Sequence, residues 1–352
     1  MKILIDIGHP AHVHYFKNLI KIMSNSSKAE FLVTSRDKEM AHYLLNYNKI
    51  SFINRGKGKN SVVGKLLYLL KANLQILRLA LKFKPDLFIS FGAPYVSQVS
   101  FLLNVPSITL DDTENAKLGQ IFYRPFSKLI LSPSTFYRDF GSKHQKFNGY
   151  MELSHLHPNY FNPDISVLGD LGLKYDETFT ILRFVKWDAH HDIGHKGISN
   201  ENKILAVKEL LKFGKVFISS EGPLPLEIEK YRINIAQEKI HSVLYYAKLC
   251  FGESATMSSE SAVLGTPSIY IDNEGRGYTD EQEKKYKLVF NYTESFKDQH
   301  NAIVKAKEIL TNYDSSDWQD KRIKLLKDKI DVTKYLIDTI SSFKKIIRIS
   351  SY

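Results

Sequence analysis

The 352-residue sequence predicts an α/β protein of two Rossmann-like parallel-sheet domains facing each other across a cleft, with a helical segment after them. Three observations carry this reading. Short apolar runs alternate with helical patterns up to residue 132, and the same alternation restarts after Pro163. Between the two series, Pro158, Pro163, Gly169 and Gly172 cluster as a linker near 155–175. At ~150 residues per domain the length fits two, taken as 1–163 and 164–352.

In the first series KILIDI (2–7) reads as a buried strand ending at Gly8-His9-Pro10, followed by a helix from about His12 to Met23. EFLVT (30–34), a helix over Lys38–Tyr47 and ISFI (50–53) come next, and then a long helix over 62–82. DLFISF (86–91), PSITLD (106–111) and KLILS (128–132) complete the series. In the second, TFTILRF (178–184), KVFISS (215–220), RINIA (232–236), LCFG (249–252), SIYID (268–272) and KLVF (287–290) read as strands. Helices are expected over Asn200–Leu211, His241–Tyr246 and Ser258–Leu264. Residues 316–348 read as one helical segment of the second domain, with Ile323, Leu326, Ile330, Ile337, Ile340 and Ile347 at helical spacing. Strands separated by helices imply parallel pairing through right-handed crossovers.

Composition narrows the class. With 43% apolar and 25% charged residues the chain can build large cores, and its one cysteine excludes an internal disulfide and a thiolate zinc site. The N-terminus lacks the h-region and cleavage site of a signal peptide, so a cytoplasmic protein is expected. Residues 1–163 carry 21 Lys and Arg against 10 Asp and Glu, whereas 164–352 carry 28 of each. Seven of the basic residues fall between Lys57 and Lys84 with no acid among them. Such a field attracts an anionic substrate, an anionic membrane or nucleic acid.

The densest motif is HSVLYYAKLCFGESATMSSESAVLGTPSI (241–269). A strand ending at Gly252 leads through Glu253, Ser254, Ala255 and Thr256 into a helix bearing Glu260, and Gly265-Thr266-Pro267 precedes the next strand. Small residues at a helix N-terminus offer free N–H groups and a positive dipole end to phosphates. The plainer alternative is that Ser254 and Thr256 cap the helix and Glu260 offsets its dipole.

This segment resembles the donor-nucleotide segment of the type B glycosyltransferases and of UDP-N-acetylglucosamine 2-epimerase. There a Gly-x-Ser-Gly/Ala-Thr-Met loop precedes a Glu-Ala-x-x-x-Gly-x-Pro run. The matching positions are Gly252, Ser254, Ala255, Thr256 and Met257, then Glu260, Ser261, Gly265 and Pro267, with Glu253 and Ser261 as departures. The resemblance implies that residues 254–257 hold a diphosphate and Glu260 a ribose. The sequence is most similar to an uncharacterised bacterial and archaeal branch of that superfamily, which also carries Gly-His-Pro-x-His-x-His and Arg-Phe-x-x-Trp-x-Ala-His-His segments.

Those two segments are the next candidates. In RFVKWDAHHDIGHKG (183–197), Arg183 and Lys196 are placed to neutralise a departing diphosphate. Trp187 either stacks on a base or plugs the core. His190, His191 and His195 with Asp188 or Asp192 have the makings of a metal site, but adjacent histidines point apart on extended backbone, and no metal is expected. At the N-terminal turn, Gly8 allows close approach and His12 is the first choice for general base, His9 the second, with His14 on the acceptor side. Either histidine could instead satisfy backbone groups at the helix end. Asp112, Glu114 and Glu152 are further acid–base candidates, and Gly92 and Tyr95 line the same expected cleft.

The helix 62–82 is basic, amphipathic and Leu-rich, the signature of an anionic membrane surface and equally of a core-facing helix. No recognition helix or RNP-like pattern accompanies the charge, so nucleic acid is not an expected partner. The sequence thus predicts a glycosyltransferase that moves a sugar from a UDP-linked donor to a glycan or lipid-linked acceptor with inversion, without a cofactor. The alternatives are a UDP-sugar 2-epimerase, using Asp112, Glu114 and Glu152, and a non-catalytic nucleotide-sugar-binding protein.

Overall fold

The computed structural model describes residues 1–38, 40–59, 61–186 and 196–349, without the side chains of residues 62 and 344–349. The chain divides into two compact units, 1–155 with 329–352, and 156–328.

The first unit is a seven-stranded sheet of β1 (Lys2–Ile7), β2 (Glu30–Ser35), β3 (Phe52–Asn54), β4 (Leu87–Phe91), β5 (Ser107–Leu110), β6 (Leu129–Pro133) and β7 (His144–Phe147). Their order is β3-β2-β1-β4-β5-β6-β7, parallel throughout. Residues Ile3, Leu4, Ile5 and Ile7 of β1 are fully buried because helices cover both faces of a parallel sheet. The second unit holds β8 (Phe179–Phe184), β9 (Lys215–Ser220), β10 (Leu249–Gly252), β11 (Ser268–Ile271) and β12 (Val289–Tyr292) in the order β12-β11-β10-β8-β9, again all parallel.

Each sheet therefore has one point where its strand order reverses: between β1 and β4 in the first, between β8 and β10 in the second. Crossovers leave in opposite directions there and open a crevice at the carboxyl ends of the strands, where open α/β sheets bind ligands.

Four sequence expectations change. The polar run HQKF pairs in parallel with β6 as an edge strand that apolar patterning could not reveal. RINIA forms no strand and contributes one isolated bridge, Ile218–Arg232. Arg232 is occupied instead with Glu229 at 2.5 Å and with the carbonyls of Ser220 and Gly222 at 3.1 Å each. The expected helical segment 316–348 is two helices, Ser315–Asp328 and Val332–Ile349, because Asp331 accepts the Lys334 N–H at 2.9 Å and starts a new helix. The second of these packs with the first unit, Leu336 and Ile340 meeting Phe16 and Leu19. Residues 1–163 and 164–352 are thus not the compact units: the first unit closes with a segment from beyond the second.

Candidate functional site

In the second unit the crevice between β8 and β10 is lined by the motif that the sequence singles out. A Cβ on Gly252 would lie 2.0 Å from the carbonyl oxygen of Arg183, so only glycine lets β10 end this close to β8. The helix begins at Ala255, three residues before the expected start, so the small-residue loop is its first turn. Ser254 is the N-cap and its side chain accepts the Met257 N–H at 3.3 Å. Residues 254–256 stay part-exposed while Ser258–Leu264 are buried, so the helix drives its positive end out of the core at the crevice. No acidic residue occupies its first turn. An anion can bind there against unopposed backbone dipoles.

Glu253, which departs from the superfamily pattern, is buried and shared between two backbone groups. Its carboxylate accepts the N–H of Val185 at 2.7 Å and of Ile198 at 2.5 Å. Glu294, in turn, accepts the N–H groups of Lys196 and Gly197 at 2.7 and 2.9 Å. Both stems of the 187–195 segment are therefore tied by carboxylates. Trp187, Asp188, His190, His191, Asp192 and His195 lie outside the described residues.

Arg183 does not project toward β10. Its guanidinium reaches Ser219 on β9 at 2.8 Å and pairs with Glu221, so its charge is already matched within the fold. Lys196 is exposed. One strand over from β10, Arg276 follows β11 and stays cationic at any working pH, since neighbouring Tyr278, Tyr270, Asp272 and Glu274 outweigh the cost of burial. Sequence reading missed it, as it missed His241. The His241 Nε2 lies 2.9 Å from Glu260 Oε1, with both side chains buried. The carboxylate that the resemblance gives to a ribose is thus already held by an imidazole.

In the first unit the β1/β4 crevice collects the N-terminal motif. His9 is the N-cap of the helix Pro10–Asn25, its Nδ1 accepting the Ala11 N–H at 3.2 Å. His12 Nδ1 accepts the Gly8 N–H at 3.2 Å, and the ring packs 4.7 Å from that of Phe91 at the end of β4. A backbone N–H can only donate, so neutral His12 carries its proton on Nε2. Burial pushes its pKa well below the ordinary imidazole value, with His9 and Lys38 adding to the effect. His12 therefore presents a hydrogen-bond donor, and accepting a proton would require it to give up Gly8. His14 is buried and stacks on His155 at 5.2 Å.

Gly92 follows β4 with φ +57°, a conformation that favours glycine, and leads into the helix Pro94–Leu102. The Tyr95 hydroxyl accepts from Arg55 at 2.9 Å. Arg55 makes a two-pronged pair with Asp6 at 2.6 and 3.0 Å and also donates to Tyr68 at 2.7 Å. Tyr95 is thereby tied to the buried Asp6–Arg55 pair. Past β5, the buried Asp111 accepts from the Thr113 N–H, Gln120 and Tyr123, which shapes the turn carrying Asp112 and Glu114. Asp112 accepts the Thr113 hydroxyl at 3.0 Å, and Glu114 and Glu152 are both buried.

Residues 1–276 match the family described as "Protein of unknown function (DUF354)", which spans β1 to β11 and both crevices. The chain belongs to the DUF354 family. An uncharacterized protein, MJ0665, of Methanocaldococcus jannaschii is 27% identical over 282 residues, covering 76% of this DUF354 chain and 81% of that protein. Among solved structures, Staphylococcus aureus MnaA with UDP superposes with a TM-score of 0.72 at 12% identity, over 98% of this chain and 97% of that one. The UDP-GlcNAc 2-epimerase of M. jannaschii gives 0.69 at 12% identity over 97% and 100%. The spinosyn rhamnosyltransferase SpnG, with its aglycone, gives 0.63 at 12% over 97% and 100%. This DUF354 protein therefore has the type B glycosyltransferase fold, which transferases and epimerases share.

Proposed function

We propose that this protein is a glycosyltransferase whose second unit binds a nucleoside-diphosphate sugar, UDP-linked, and whose first unit binds a glycan or lipid-linked acceptor. The observation that carries it is the part-exposed first turn 254–256, free of acids, at the strand-order reversal of the second sheet. Similarity to the UDP complex of MnaA supports the choice of nucleotide.

In this reading the N–H groups of Ala255 and Thr256 meet the diphosphate, Arg276 and Lys196 add charge, and the Glu260–His241 pair meets the ribose. The acceptor oxygen attacks the anomeric carbon from the face opposite the diphosphate. As that bond forms, the bond from the anomeric carbon to the diphosphate oxygen breaks, and its electron pair leaves with UDP. Charge grows on the diphosphate in the transition state, where fixed dipoles stabilise it most. The acceptor proton passes to a carboxylate of the Asp112–Glu114 turn. His12, a weakened base with its proton on Nε2, instead donates a hydrogen bond to a substrate oxygen.

A second reading, a UDP-sugar 2-epimerase, draws on the buried carboxylates Glu114 and Glu152, since removing and returning a C2 proton needs such groups. Product analysis with UDP-sugars tests both. UDP and a new glycoside support the transferase, an isomerised UDP-sugar supports the epimerase, and no UDP binding at all overturns the shared premise.

A further inference from the structure

The helix Val62–Phe83 has two apolar faces, and the fold uses one. Ala72, Ile76 and Ala80 are buried, Ile76 and Ala80 in a cluster with Leu4, Phe88, Val96 and Val99. On the opposite face Val63, Leu66, Leu67, Leu70, Leu74 and Leu81 are each exposed by half or more. At 100° per residue these six fall within a sector of about 100°, a continuous ridge along the helix. Apolar residues scattered singly over a surface need no explanation, but a ridge of this length does.

The ridge does not end with its helix. Asn73 donates to Gln98 at 2.9 Å, and Gln98 donates to the Phe122 carbonyl at 3.2 Å, so the helices Pro94–Leu102 and Lys117–Tyr123 lie beside it in turn. They add Phe101, Leu102, Leu118 and Ile121, all more than half exposed, and Phe122. Charge follows the same geometry. Lys71, Arg78 and Lys82 flank the ridge, Lys117 opens the third helix, and none of the three helices contains an acid. Beside the ridge Asn54, Lys71, Leu74 and Arg78 line an open recess of about 720 Å³, with space for a phosphate-bearing headgroup.

We infer that this three-helix face of the first unit docks on an anionic phospholipid surface. Leucines and phenylalanines enter the acyl boundary while lysines and arginines meet lipid phosphates, the division of labour of an interfacial element. Among the described residues no helix is long and apolar enough to cross a membrane, so the face lies on the bilayer. A protein partner would be expected to satisfy so large an apolar area with an acidic rim, and a second copy of this chain would set one cationic margin against another. The inference stands on surface chemistry and does not require the nucleotide reading.

The test is flotation of the full chain, without nucleotide, on vesicles of phosphatidylglycerol mixed with phosphatidylcholine and on phosphatidylcholine alone. Binding is expected to the anionic vesicles only, with much of the protein released at about 0.5 M salt as charges are screened. Leu70→Glu with Leu74→Glu should lower partitioning at least tenfold while the thermal midpoint and UDP binding hold, both residues being exposed and in the other unit from the nucleotide motif. Equal partitioning of wild type and variant would overturn the inference. So would a dimer seen by light scattering that the variant abolishes, with no vesicle binding by either protein. If the variant loses its fold, Lys71→Glu with Arg78→Glu supplies the same comparison through charge alone.

Discussion

Asp6 and Arg55, 49 residues apart in sequence, form a bidentate ion pair whose two side chains are wholly buried. The pair is further fastened by Thr34, Tyr68 and Tyr95, which brings β1, β2, the segment after β3 and two helices to one point. Removing one partner strands the other charge in the interior. Arg55→Met is expected to cost about 3–5 kcal/mol, and Arg55→Met with Asp6→Leu considerably less. Urea unfolding of the three proteins measures this, and a double variant as unstable as the single one would contradict it.

Thr256→Asp separates a phosphate site from an ordinary helix cap. A carboxylate in the first turn favours the helix dipole, so stability should hold or rise by about 0.3–1 kcal/mol. The same charge repels a diphosphate, and UDP affinity should fall at least tenfold, read by calorimetric titration. Unchanged affinity would leave residues 254–257 with a capping role only.

Glu253→Gln keeps the shape of the side chain but leaves it one acceptor, so one of the two backbone N–H groups then faces an NH2 donor. One of the bonds to Val185 and Ile198 should be lost, lowering stability by about 1.5–3 kcal/mol. Hydrogen exchange should quicken at those two amides more than at the helix Pro10–Asn25 in the other unit.

His12 links stability to pH. Its folded-state pKa lies below the ordinary value of about 6.5, so below that pH the unfolded chain binds the extra proton and stability falls as pH drops toward the folded-state value. His12→Asn removes this contribution and should flatten the unfolding free energy between pH 6.5 and lower values. Asn also keeps an acceptor for the Gly8 N–H, whereas Gln keeps a donor near the Nε2 position. If His12 donates to substrate, Gln should retain more turnover than Asn. If it is the base, both should lose about 10²–10⁴-fold, together with the acidic limb of the pH–rate profile.

Much of this was legible where physics is local. LCFG and KVFISS have the bounds that their buried, β-branched or aromatic runs imply, and Gly252 and Gly265 punctuate the chain as expected. The edge strand His144–Phe147 was not legible, because polar residues carry no apolar period. Nor was the break at Asp331, which follows an uninterrupted helical pattern. The roles of His9 and His12 were half visible. Three histidines at a strand end marked the place, but only geometry reveals that both Nδ1 atoms accept backbone N–H groups. Arg183 lies at the strand end that the sequence implies, yet its partner Glu221 follows the neighbouring strand, a pairing that local sequence cannot assign. His241 did carry a signal, since it opens the same motif that contains Glu260.

The return of the helix Val332–Ile349 to the first unit has a consequence for biosynthesis. Residues 156–328 form a unit from one unbroken stretch, which can fold as soon as it clears the ribosome. The first unit, although begun earlier, must wait with Phe16, Leu19, Ile89 and Leu131 uncovered until Leu336 and Ile340 emerge. Synthesis order and folding order are therefore inverted. A chain released at residue 328 would hold a finished second unit and an adhesive, unfinished first one, the species on which a chaperone would act.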